Sequence, residues 1–231
     1  LGNFSKAAEW YARALESGPD RIALQGLGML LLRQGKNEQA KESFCQAEEI
    51  CRTEEDTAGV AAALQGLASI DLLQKNYDAA MEKMQKTLDL LEKLGDLRSQ
   101  SSTLQSMAML DFNRGNLDAA RTLLMRAVAL QSSIDDKASM AEAQYALASI
   151  DFEKGDYDPA AEEFRQALQL KREIGEQRGE AAILHNLGLI ESQKDNKESA
   201  FANFRDALQI YQDLCDKPGE AGAFFQLGAL A

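Results

Sequence analysis

The stretch SIDFEKGDYDPAAEEF, residues 149–164, places Asp151, Asp156 and Asp158 within eight positions. Carboxylates so close could hold a cation or share a proton. A calcium loop, however, needs alternating oxygen ligands, a central glycine and a terminal Glu, and DFEKGDYD lacks that order. The chain has one histidine, His185. Paired with Cys215 it would supply a nucleophile and a base, but spacing offers no third group to orient them. No glycine-rich phosphate loop or dinucleotide fingerprint is present. Cys45, Cys51 and Cys215 are odd in number and lack C-x-x-C spacing, so neither a disulfide framework nor a zinc site is expected. The expectation is a non-enzyme with no cofactor and no metal, placed in a reducing cytoplasm.

Composition bounds the scaffold. Three prolines, 6% aromatics and an abundance of Ala, Leu, Glu, Gln and Lys favour helix, because these side chains lose little rotamer freedom there. The net charge of −12 and pI near 4.7 argue against nucleic acid, whose binding needs a basic face. The same charge suits a basic or polar protein partner, or serves only to keep a long helical surface soluble. No run approaches the roughly 20 apolar residues that span a bilayer, so no membrane association is expected.

The acids acquire a context once the chain is searched for repeats. ALASIDFEKGDYDPAAEEFRQALQL (146–170) aligns with segments starting at 26, 66, 106 and 186, each 40 residues from the next. QLGALA (226–231) begins a further copy, and GNFSKAAEWYARALE (2–16) is the second half of one. The apolar spacing of three to four, as in Leu184, Leu187, Gly188 and Ile190, is that of an amphipathic helix. A polar break and a second stripe follow in each copy. Each unit therefore reads as two antiparallel helices joined by a short turn.

Gly115 and Gly155 suit the left-handed residue that ends a helix, with Lys75 and Asp195 in that place in other copies. Asp158 before Pro159 reads as an N-cap and first-turn proline, with Asp78 and Asp118 in the same register and Glu38 and Glu198 as substitutes. On this reading the expected units are a half repeat at 1–17, repeats at 20–53, 57–94, 97–134, 137–174 and 177–214, and a half repeat at 217–231. The array is expected to be a fragment of a longer protein.

Leu187 and Gly188 in the first helix, with Ala200, Phe204 and Ala207 in the second, resemble the tetratricopeptide repeat. Ala40, Ala80, Ala120, Ala160 and Ala200 repeat the small-residue position five times. The usual first-helix tryptophan is replaced by Leu24, Leu64, Leu104, Gln144, Leu184 and Phe224, and the helix-ending proline is missing. The 40-residue unit resembles the longer subclass of kinesin light chains, spindle-orientation adaptors and bacterial signalling arrays. The resemblance implies an all-α fold, a right-handed α-α superhelix of antiparallel helix pairs, whose first helices line a concave face that holds a peptide or partner helix.

At 100° per residue, positions two before and two after Leu147 point away from the apolar stripe, toward that concave face. One column is then Gln25, Gln65, Gln105, Tyr145 and His185. A second contains Met29, Ser69, Met109, Ser149 and Leu189, and a third, nearer the turn, includes Arg33, Leu73 and Asn113. Amides and ring groups offer donors and acceptors to a peptide backbone, and methionine gives an adaptable apolar contact. Of the position where the resembling adaptors carry a main-chain-clamping Asn, only Asn186 fits.

Asp71, Asp111, Asp151 and Glu191 form an acidic column on the core side of successive first helices. About 10 Å separates packed helices, too far for one ion to be shared. A structural role is expected, each carboxylate accepting from donors on adjoining helices, because a buried carboxylate needs donors. The function class expected is a scaffold for a protein or peptide partner. The alternative is a structural or regulatory spacer in a larger signalling protein, contacting its own domains or self-associating end to end through Phe224, Phe225, Leu227 and Leu230.

Overall fold

The computed structural model describes residues 2–16 and 18–230. Leu1, Ser17 and Ala231, the outer bounds of the two expected half repeats, lie outside the described residues. Among the described residues the regular structure is twelve α-helices and no strand. They are α1 (Gly2–Glu16), α2 (Arg21–Arg33), α3 (Asn37–Thr53), α4 (Thr57–Leu73), α5 (Tyr77–Leu94), α6 (Leu97–Asn113), α7 (Leu117–Ser133), α8 (Lys137–Lys154), α9 (Tyr157–Glu173), α10 (Gln177–Gln193), α11 (Lys197–Asp213) and α12 (Lys217–Leu230). The chain divides into two compact units, residues 1–110 and 111–231.

From Asn37 to Lys217 every helix starts twenty residues after the one before. The side-chain pattern repeats every forty residues, but the backbone repeats at half that interval. The cause is one turn used throughout. Residues 35, 55, 75, 95, 115, 135, 155, 175, 195 and 215 all have left-handed backbones, with φ from +53° at Asp135 to +80° at Gly155. The next amide donates back to the carbonyl five residues earlier, as in Asp156 N to Asp151 O at 2.8 Å and Asn116 N to Asp111 O at 2.9 Å. These bonds satisfy carbonyls that a helix end leaves without partners. Gly115, Gly155, Lys75 and Asp195 stand in the left-handed place, as their sequence context suggests.

This tight turn moves the helix start. Asp156, not Asp158, is the N-cap of α9. Gly155 leaves room for a single residue before the helix, so Asp156 both closes the turn through its N–H and accepts from Ala160 N at 3.1 Å. Asp158 is the second helical residue, and its carboxylate accepts from Lys194 Nζ at 2.5 Å. Pro159 then stands third, still among the positions whose N–H has no intrahelical acceptor, so its missing donor costs nothing.

Turns from a second helix to the next first helix carry a true side-chain cap. Asp56, Asp96, Asp136, Glu176 and Asp216 accept from the N–H three residues on, at 3.0 to 3.2 Å. Such caps each contribute about 1 kcal/mol.

The second helices bring a small and a large residue to the core in every repeat. Ala40, Ala80, Ala120, Ala160 and Ala200 are fully buried, and four positions later stand Phe44, Met84, Leu124, Phe164 and Phe204, also buried. In the first unit Phe44 packs with Ala40, Leu67 and Ile70. In the second, Phe164, Leu168, Ile183, Leu187 and Ile190 join one continuous cluster.

Candidate functional site

In the first unit, α2, α4 and α6 form the walls of a groove of about 580 Å3. Gln25 and Met29 of α2 and Gln65 and Ser69 of α4 line it, so these four expected residues share one surface. On α6 the lining passes to Ser102, Thr103 and Ser106, without Gln105 or Met109. Met109 is exposed elsewhere on the helix surface. Gly26 and Gly66 leave the groove open. A Cβ on Gly66 would sit 2.5 Å from the Phe44 ring, so glycine is needed for that ring to approach the helix backbone and floor the groove.

The glutamines are not idle. Gln25 Nε2 donates to Gly59 O at 2.8 Å, tying α2 to α4, and Gln65 Nε2 reaches Thr103 Oγ1 at 3.4 Å. The column expected to face a ligand therefore also joins neighbouring first helices. Ile22, 63% exposed, is a lining residue that the two chosen columns pass over. Its signal was present in the spacing of Ile22, Gly26 and Met29, a second apolar stripe on α2.

In the second unit rings occupy the same columns. Tyr145 packs edge-on against Phe164 with centroids 5.4 Å apart, and its hydroxyl accepts from Asn186 Nδ2 at 3.0 Å. His185 packs edge-on against Phe204 at 5.2 Å, and burial holds its imidazole below the usual histidine value. Ser149 Oγ donates to its own helix, at Tyr145 O. Asn113 is exposed at the end of α6.

The four acids of the core-side column occupy the position whose carbonyl closes each turn, and their side chains find donors in two ways. Asn116 Nδ2 donates to Asp111 Oδ1 at 3.0 Å and Asn196 Nδ2 to Glu191 Oε2 at 2.8 Å, so the residue that closes the backbone turn also clasps the carboxylate. Asp156 stands at that place after Asp151 and has no side-chain amide to give. Arg121 of α7 supplies the donor instead, with Nε 3.0 Å from Asp151 Oδ1, while Asp151 is only 2% exposed. Asp71 accepts from Lys83 Nζ at 2.6 Å. Where Lys83 stands in its repeat, the later repeat has Glu163, which shares Arg121 at 3.2 Å. Burial, and then the Asp151 charge, push the Glu163 carboxyl up to about 7, with Arg121 pulling the other way. Among the described residues no group of three His, Cys, Asp or Glu side chains could hold a metal ion, and no helix is long and apolar enough to cross a membrane.

A sequence model of the tetratricopeptide repeat matches residues 20–93, 99–173 and 139–213, most of the chain. The chain belongs to the tetratricopeptide repeat family. Among curated proteins, none matches its sequence. Solved structures share its fold at low identity. BtubC (BKLC) from P. vanneervenii is 18% identical with a TM-score of 0.77, over 92% of this chain and 90% of that one. A signal transduction ATPase with numerous domains from Pyrococcus horikoshii, a protein with a tetratricopeptide repeat sensor, gives 18% and 0.88, over 98% of this chain and 36% of that one. The present chain thus spans about a third of that ATPase. YrrB, described as a TPR protein with an unusual peptide-binding site, gives 20% and 0.62 over 94% and 97%.

Tetratricopeptide repeat proteins are in general non-enzymatic scaffolds for protein–protein interaction. What periodicity leaves unseen in this member are the donors of the acidic column. Lys83 and Arg121 stand at positions that hold other residue types in the remaining repeats. The two Asn clasps follow an acid with Asn five residues on, but that spacing is not sufficient, since Asp71 and Asn76 share it and Asn76 Nδ2 donates to Gln74 Oε1 instead.

Proposed function

We propose that this protein is an interaction scaffold whose groove on α2, α4 and α6 holds an extended peptide or a partner helix. The observation that carries the reading is the continuity of the groove across three successive first helices, with amides, hydroxyls and exposed apolar side chains on one surface. A peptide backbone needs donors and acceptors in its path; Gln65 has an amide oxygen and a second amide N–H beside the one that reaches Thr103, and Ser69, whose hydroxyl donates to Gln65 O, adds an acceptor oxygen. Selection of displayed random peptides on the chain, followed by titration of the winners, tests this. The double variant Met29→Ala/Gln65→Ala should weaken binding about tenfold. Unchanged affinity in a variant of unchanged helicity refutes the groove.

A second reading is end-to-end self-association through the face of α12 that bears Phe224 and Phe225, both exposed. If that face joins copies of the chain, sedimentation shows a concentration-dependent oligomer that Phe224→Ser/Phe225→Ser abolishes. The exposed thiols of Cys45 and Cys215 suit a reducing compartment such as the cytoplasm.

A further inference from the structure

The described lining of the first unit's groove carries no charge. Among the fifteen described residues that line it none is Asp, Glu, Lys or Arg, in a chain that is 27% charged. This neutrality is local and does not come with the repeat. In the second unit the equivalent of Ala62 is Glu142, which is ion-paired to Lys171, and the equivalent of Gln65 is Tyr145. At the mouth stand Ile22 and Met29, two exposed apolar side chains two turns apart on α2, and beneath them the buried Phe44 ring packs against the backbone at Gly28 and Gly66, with the Tyr11 ring against Gly26.

We infer that the α2–α4–α6 groove selects an uncharged segment of a partner protein, with an aliphatic side chain laid against Ile22 and Met29 and the main chain read by Gln65. The inference rests on the peptide-binding reading above and narrows it. A charged side chain entering this groove would lose water and meet no opposite charge, which costs far more than burying a neutral one. An aliphatic side chain loses only unfavourable hydration and meets a methionine that adapts to its shape. Three packed first helices span about 20 Å, the length of about six extended residues. The selected segment is therefore short, and the neutrality rule applies to its central residues.

The test is a positional-scanning library of acetylated, amidated nonapeptides, titrated by fluorescence polarisation against the full chain, Ala62→Glu and Met29→Ala/Gln65→Ala. Ala62 is exposed, and α8 accommodates Glu142 at the same register, so the charge can be introduced without disturbing the helix. The tightest pools should hold Leu, Ile or Met and no charge at the central positions, and a central Asp, Glu, Lys or Arg should weaken binding about tenfold. Ala62→Glu should weaken the neutral pools and improve those with a central Lys or Arg.

If centrally charged pools bind the wild type as tightly as neutral ones, while the double variant still binds weakly, the groove binds peptide but the neutrality rule is overturned. If no pool distinguishes the double variant from wild type, the groove reading falls and the inference with it. A dimer seen by light scattering and dissolved by Ala62→Glu would assign the groove to a second copy of the chain and overturn the inference in that way.

Discussion

Arg121 of α7 lies between two carboxylates of the following helix pair, its Nε 3.0 Å from Asp151 Oδ1 on α8 and its Nη2 3.2 Å from Glu163 Oε1 on α9. One cation thus connects three helices. Replacing it leaves Asp151 buried with an uncompensated charge, and part of that cost is relieved because the Arg121 side is partly open to water. Arg121→Met should lower unfolding free energy by about 2–3 kcal/mol in urea. The double variant Arg121→Met/Asp151→Leu should recover much of the loss, since removing both charges removes the unmet demand.

Glu163 gives the second unit a pH dependence. Its carboxyl is raised from 4.5 to about 7, and its Oε2 is buried without a partner among the described residues. The folded chain therefore holds a proton more tightly than the unfolded one. The stability linked to this group is full below pH 4.5 and is lost as pH rises through 7. Between pH 5.5 and 8 the Tm of wild type should fall relative to Glu163→Gln, and the variant should be the more stable of the two at pH 8.

The amide clasps give the acidic column a measurable role, which we propose is to lock the turn. Asp111 and Asn116 are joined twice, through the backbone and through the side chains. A double-mutant cycle of Asp111→Ala and Asn116→Ala should give a coupling of about 0.5–1.5 kcal/mol, the usual range for one such bond. Zero coupling removes the proposed role. By contrast Lys194→Ala, which breaks an exposed pair with Asp158, should leave stability almost unchanged, with any difference vanishing in high salt.

The turns can be improved and damaged at will. Lys75 adopts φ +61° with a side chain that resists it, and Gly155 adopts φ +80° with open space around the missing Cβ. Lys75→Gly should raise stability by about 0.5–1 kcal/mol and Gly155→Ala should lower it by about 1 kcal/mol, both read from thermal unfolding.

The fold was legible because every level of the sequence repeats the same instruction. Five alanines at one register announce where helices approach, and the large residue four places later announces what fills the gap. The groove was half legible. Counting two positions either side of Leu147 finds Gln25, Met29, Gln65 and Ser69, but an angular rule treats all repeats alike. It therefore could not foresee that Ser102, Thr103 and Ser106 take over on α6, nor that Tyr145 and Asn186 bond to each other. The cations Lys83 and Arg121 escaped for the opposite reason. They break the repeat, and a search for recurrence passes over what occurs once. Asp158 misled because Asp before Pro imitates a cap, while the carbonyl-closing turn had already assigned that duty to Asp156.

The left-handed residue that returns every twenty positions from 35 to 215 gives these joints one backbone form, while the side-chain cap alternates from joint to joint. A block of forty residues, cut between any two equivalent turns, can be removed or copied so that both new ends meet a joint they already fit. A block of twenty would keep the joints yet hand each following helix the opposite assignment, turning groove faces into backing faces from that point on. Length change in this array therefore has a natural step, and the step is set by which side of the helix must meet the partner.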